Sequence, residues 1–268
     1  MADRLQQANS TAPFSGNVAF AEPRRVPFDA PWEWLAAGWR DLWAIPRLSL
    51  GYGAVFSVAA AGMALGLWSQ GLHALFLVLA AGFLLIGPLF GVGLYAASRA
   101  LARGEGVKLS DMLSAGTRAR GQLAFFGILL MFAFMAWLQL AILLFMVFMG
   151  DGGFPPPQEF LQTLLFTSRG LVLLIVGTIA GGVIAALVFS TSVVAVPLLM
   201  VEPLDTVSAM RASLKAVLAN PKPMALWAGL ITMMIGAGFA TLLVGLVIAL
   251  PLIGHATWHA YADIYGKR

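Results

Sequence analysis

The stretch from Met224 to Tyr261 contains no Asp, Glu, Lys or Arg and ends Pro251-Leu-Ile-Gly-His-Ala-Thr-Trp-His-Ala-Tyr261. As one helix rising about 1.5 Å per residue it would far exceed a bilayer core of about 30 Å, so it must fold back on itself. Gly236-Ala-Gly238 is the expected turn. The fold-back leaves His255 and His259 four residues apart, on one face of a final helix. It also decides between five crossings and six.

Composition extends this to the whole chain. With 60% hydrophobic and 10% charged residues over 268 positions, the sequence falls outside the soluble globular class and reads as an all-α, polytopic membrane protein. The absence of cysteine removes thiolate metal ligands, covalent haem attachment, iron-sulfur ligation and disulfides together. The net charge of +4 comes from bases that border apolar runs rather than from a basic domain. Such bases signal topology and contact with anionic lipid headgroups, and nucleic acid is not an expected partner.

Residues 1–28 form an expected disordered cytoplasmic tail without a signal peptide, and residues 29–268 a single transmembrane domain. Trp32, Leu35, Trp39, Leu42 and Trp43 recur at helical spacing before Pro46, which predicts an amphipathic surface helix with its apolar face in the headgroup plane. Spans follow at about 48–68, 72–97, 123–149, 171–200, 221–237 and 241–260, with kinks at Pro88, Pro197 and Pro251. Further surface helices are expected near Leu109 and over Leu204 to Asn220, the latter capped by Asp205 or Thr206. Arg40 aligns with Lys215, Pro46 with Pro221 and Arg47 with Lys222 at one constant shift. The pattern suggests three copies of surface helix plus hairpin, the middle one degenerate. Six spans place every basic residue except Arg169 on the cytoplasmic side, together with both termini, whereas five spans move Lys267 and Arg268 outward.

Trp32, Trp34, Trp39, Trp43, Trp227 and Trp258, with Arg40 and Arg47, are the expected membrane-interface residues. Gln139, near the middle of a span, is expected to bond a neighbouring helix. His255 and His259 have metal-ligand spacing, and copper or haem would suit them. A stable site normally needs a third ligand, there is no cysteine, and His73 is expected at the opposite membrane face. The reading favoured is a structural cap at the helix end, bonding Asp263, loop carbonyls or headgroups beside Trp258 and Tyr261, with no metal and no cofactor. No Ser-His-Asp set, phosphate loop or cluster of intramembrane carboxylates is visible, so no enzyme is expected.

Trp34-Leu-Ala-Ala-Gly-Trp-Arg-Asp-Leu-Trp43, Gly82-Phe-Leu-Leu-Ile-Gly-Pro88, Gly93-Leu-Tyr-Ala-Ala-Ser-Arg99, Asn220-Pro-Lys-Pro-Met-Ala-Leu-Trp227 and Gly254-His-Ala-Thr-Trp-His-Ala-Tyr261 carry a resemblance. The chain resembles an uncharacterised family of bacterial integral membrane proteins, a domain of unknown function sometimes labelled cytochrome c oxidase subunit I. The resemblance implies a six-helix inner-membrane protein without an assigned activity. A haem-copper oxidase core resembles about twelve spans with six histidine ligands, and this chain has three histidines. Three functional readings follow: a non-enzymatic interaction, scaffold or assembly component; a small transporter or channel built from repeats; and a haem- or copper-associated accessory protein.

Overall fold

The structure is a computed structural model that describes residues 22–72, 75–115, 120–150 and 157–266. The tail up to residue 21, His73, most of the proline loop, and Lys267 and Arg268 lie outside the described residues. The described residues are helical, without strands. In chain order the helices are α1 (Ala30–Ala44), α2 (Pro46–Ser69), α3 (Leu75–Phe90), α4 (Val92–Ala102), α5 (Leu109–Ser114), α6 (Arg120–Met149), α7 (Pro157–Phe166), α8 (Ser168–Ser192), α9 (Ala195–Val201), α10 (Thr206–Ala219), α11 (Pro221–Ala240) and α12 (Leu246–Tyr265).

Among the described residues α2, α6, α11 and the run from α8 through α9 are long and apolar enough to cross a bilayer, and the bent pair α3–α4 counts as a fifth if its two halves form one span. The final helix does not qualify on composition, because its second half carries His255, Thr257, His259 and Asp263. It is instead the hub of the molecule, packed against α1, α2, α4 and α11. Close approach explains that role. A side chain at Gly38 of α1 would strike the backbone of Ala256, one at Gly53 of α2 the backbone of Val247, and one at Gly254 of α12 the side chain of Leu94 on α4. A second group, α3, α6 and α8, packs beside this hub.

One expectation about chain breaks, the position of the last turn, needs correction. The last turn lies at Thr241 to Gly245, not at Gly236–Gly238, with Leu242 and Leu243 at φ 53° and 71°. Gly238 serves packing instead, since a Cβ there would overlap Leu246. The fourth span is broken at Val193 and Val194, because Pro197 has no N–H to offer the carbonyl of Val193. The second span is likewise two helices, bent by 40° between Phe90 and Val92, just after Pro88. Pro251 lies inside α12, which continues through it.

The junctions from α1 to α2 and from α10 to α11 share one backbone geometry. Ile45 has φ −134° and ψ 56°, Asn220 has φ −132° and ψ 53°, and each is followed by a proline that opens the next helix. Asp205 caps α10, its carboxylate accepting from the Ser208 amide at 2.9 Å.

Of the two surface helices, α10 points the opposite way from the aqueous amphipathic rule and α1 does so in part. In α10 the small residues Ala209, Ala212, Ser213 and Ala216 are buried, while Val207, Leu214 and Leu218 are exposed. In α1, Trp34, Ala37, Gly38 and Leu42 face inward and Trp32, Trp39 and Trp43 outward. Where the surroundings are as apolar as leucine, burying large side chains gains little and close approach of small ones gains more. Trp34, Trp227 and Trp258 are therefore not surface residues. Trp34 meets Trp227 edge to face at 5.8 Å, and Trp258 is buried beside Tyr261.

Candidate functional site

Two features carry chemistry: a polar chain, buried at Ser49, Ser98 and His255 and partly exposed at Asp41 and His259, and an apolar cavity beside it. The chain begins on α2, where the Ser49 hydroxyl lies 3.0 Å from Nε2 of His255. Nδ1 of the same ring lies 2.7 Å from the Ser98 hydroxyl on α4. Ser98 donates to Asp41 of α1 at 2.6 Å, and Nε2 of His259 lies 2.8 Å from that same carboxylate oxygen.

The directions of these bonds are fixed by chemistry. A carboxylate only accepts, so the Ser98 proton belongs to Asp41 and the Ser98 oxygen must accept from Nδ1–H of His255. In the neutral ring Nε2 of His255 is then bare and accepts from Ser49, so that both nitrogens are matched. His259 donates its Nε2–H to Asp41. Burial by itself raises the Asp41 carboxyl, but the hydrogen bonds from His259 and Ser98 outweigh it and hold the group below its ordinary value of 3.8.

Ser, His and Asp thus meet after all, contrary to the sequence expectation, across separations of 57, 157, 206 and 218 residues. The arrangement is closed off at Ser49, Ser98 and His255, which are fully buried. What it does is fasten four helices at one point.

The cap expected for the two histidines is corrected accordingly. His255 is sealed in the core rather than at a helix end, and Asp263 bonds Trp34 Nε1 at 3.1 Å instead of a histidine. The end of α12 is capped by Arg24, whose guanidinium donates to the carbonyls of Ala262 and Gly266. That arginine belongs to a strap held by Asn220, which accepts from the Val26 amide at 2.8 Å and donates to the Arg24 carbonyl at 2.9 Å. No group of three or more His, Cys, Asp or Glu that could hold a metal occurs among the described residues. Gln139, expected to bond a neighbouring helix, is exposed. Gln122 does tie helices together, accepting from the amide and hydroxyl of Thr206 at 2.8 Å.

A cavity of about 940 Å³ lies between the hub and the α3–α6–α8 group. Tyr52, Phe83, Tyr95, Trp137, Phe189 and Ile253 represent its walls, and no Asp, Glu, Lys, Arg or His is among the described residues lining it. Trp137 is held in place by its N–H donating to the Val78 carbonyl at 2.9 Å and by the bare backbone of Gly181 and Gly82 against its ring. The breaks after Pro88 and before Pro197 both border this space, through Gly91 and Val193. Each helix of the polar chain except α1 also lines the cavity within one turn: Tyr52 follows Ser49, Leu94 precedes Ser98 and Gly254 precedes His255.

Sequence reasoning missed Asp41, Ser49 and Ser98 as partners of the histidines. The available signal was that Asp41 sits one turn beyond Trp34, Ala37 and Gly38, on the close-packing face. No curated protein and no solved structure matches the chain. Residues 75–201, which include Ser98 and most of the α3–α6–α8 wall of the cavity, match the model of the family described as predicted integral membrane protein (DUF2189), and the protein is an integral membrane protein.

Proposed function

We propose that this is a non-enzymatic membrane protein that binds another membrane component in the cavity between its helices. The carrying observation is the cavity itself: about 940 Å³, apolar and free of Asp, Glu, Lys, Arg and His among its described lining residues, a volume typical of a ligand site. The polar chain around His255 supports the same reading, since its groups are spent on holding helices together. We place the protein in the bacterial inner membrane with six spans and both termini cytoplasmic, α12 being the sixth. The exposed Trp32, Trp39 and Trp43 with Arg40 and Arg47 would then meet anionic headgroups. Purification in mild detergent followed by native mass spectrometry tests the function: a retained apolar small molecule supports it, and a protein that is always empty contradicts it. A reporter-fusion map placing the C-terminus outside would overturn the six-span topology.

A second reading, transport of an apolar molecule, draws on the broken helices that border the cavity at Gly91 and Val193. Reconstituted vesicles distinguish the two. Faster exchange of a labelled apolar solute between leaflets supports transport, and binding without exchange supports the first reading.

A further inference from the structure

We propose that the occupant of the cavity is the acyl chain of a bilayer phospholipid, entering sideways with its headgroup left at the membrane surface. The proposal deepens the function proposed above and rests on it. Three observations carry it.

The cavity opens to the outside of the helix bundle, and Leu77, Ile142 and Met233, which line it, are exposed. What lies against such a surface in a membrane is hydrocarbon.

Four polar side chains of the wall already have partners. Tyr52 donates to the Phe90 carbonyl at 2.8 Å, Thr232 to Ala228 at 2.9 Å, Thr257 to Ile253 at 2.7 Å and Trp137 to Val78 at 2.9 Å. A guest that brought a carboxylate or ammonium inside would find no counter-charge among the described lining residues. A hydrocarbon chain needs none.

Finally, the space is left open by the sequence. Gly87, Gly177, Gly182 and Gly229 line the cavity, and a Cβ added at any of them meets nothing within 4 Å. Elsewhere glycines in this protein permit helix contact, as at Gly38 and Gly53. Here they face room.

Those glycines supply the test. Replacing Gly177 and Gly229 by leucine takes up part of the cavity at positions where a Cβ meets nothing, and removing glycine from a helix interior favours the helix. The protein in detergent micelles is titrated with phosphatidylcholine brominated on its acyl chains, and the Trp137 signal is taken as the difference between native protein and Trp137→Phe. Saturable quenching of Trp137 is expected, about tenfold weaker in apparent affinity in Gly177→Leu/Gly229→Leu, whose thermal unfolding is no lower than native. Should that double variant misfold, Gly177→Ala gives a smaller loss in the same direction. Absence of Trp137 quenching, or quenching unchanged by cavity filling, overturns the proposal. Bromododecane, which has no headgroup, separates the two levels. If it quenches Trp137 where the brominated lipid does not, the phospholipid assignment falls and the cavity reading stands; if neither quenches, both fall.

Discussion

Replacing Ser98 with alanine removes one oxygen from the centre of the polar chain and almost no volume, which makes it the cleanest probe of what the network does. In the native protein that oxygen accepts from His255 Nδ1–H at 2.7 Å and its proton goes to Asp41 at 2.6 Å. The variant leaves a fully buried N–H without a partner, a loss of about 1–3 kcal/mol, and takes a hydrogen bond from an ionised carboxylate, worth about 1.5–3 kcal/mol. The two overlap in part, because His259 still holds Asp41, so a total of about 2–4 kcal/mol is expected. Ser49→Ala should cost less, about 1–2 kcal/mol, since it leaves only an acceptor unmatched. The assay is reversible denaturant unfolding in a fixed detergent, followed by tryptophan fluorescence, with exposed Ser110→Ala as control. A Ser98→Ala change within about 0.5 kcal/mol of native would refute the claim that the network fastens the four helices.

Other outcomes follow from the same geometry. Because the Asp41 carboxyl is held below 3.8 in the folded protein, its stabilising contribution is complete above that pH and is lost as pH falls through the lower folded value. Acid unfolding should therefore show a component below about pH 4 that Asp41→Asn removes. Gly53→Ala drives a methyl into the Val247 backbone and should destabilise by about 1–3 kcal/mol, whereas Gly51→Ala, which meets nothing, should stabilise by about 0.5–1 kcal/mol. Both are read from the same unfolding curves. Asn220→Ala releases the strap from Val26 and Arg24, and limited proteolysis should then cut between Glu22 and Asp29 faster than in the native protein.

Much of the architecture could be read from residues. Apolar length gave the helices, Pro88 and Pro197 marked two of the breaks, and Pro46 and Pro221 sit at junctions of matching backbone geometry. Which face of a surface helix points inward could not be read by the aqueous rule. In α10 the small Ala209 is buried where that rule would bury Leu214, because lipid removes the reward for hiding large apolar groups, and in α1 Trp34 packs on Trp227 while Trp39 is exposed. The position of the last turn was lost for a related reason: Gly238 looked like a chain reversal and is a packing contact with Leu246. The histidine pair was visible, but its partners were not. Asp41, Ser49 and Ser98 are ordinary residues at long separations, joined only when α1, α2 and α4 converge on α12. The cavity left still less trace, since glycines facing open space and glycines facing a neighbouring helix look alike in a sequence.

The claim that a membrane component occupies the cavity is tested most directly by photo-crosslinking. The protein is reconstituted with a phospholipid that carries a photoreactive group midway along one acyl chain, irradiated, digested and sequenced by mass spectrometry. Crosslinks should fall on Trp137, Thr178 and Ala228, which face the cavity, as well as on outward residues such as Phe132 and Ile179. Crosslinks confined to the outward residues, with the cavity wall unlabelled, would contradict the account.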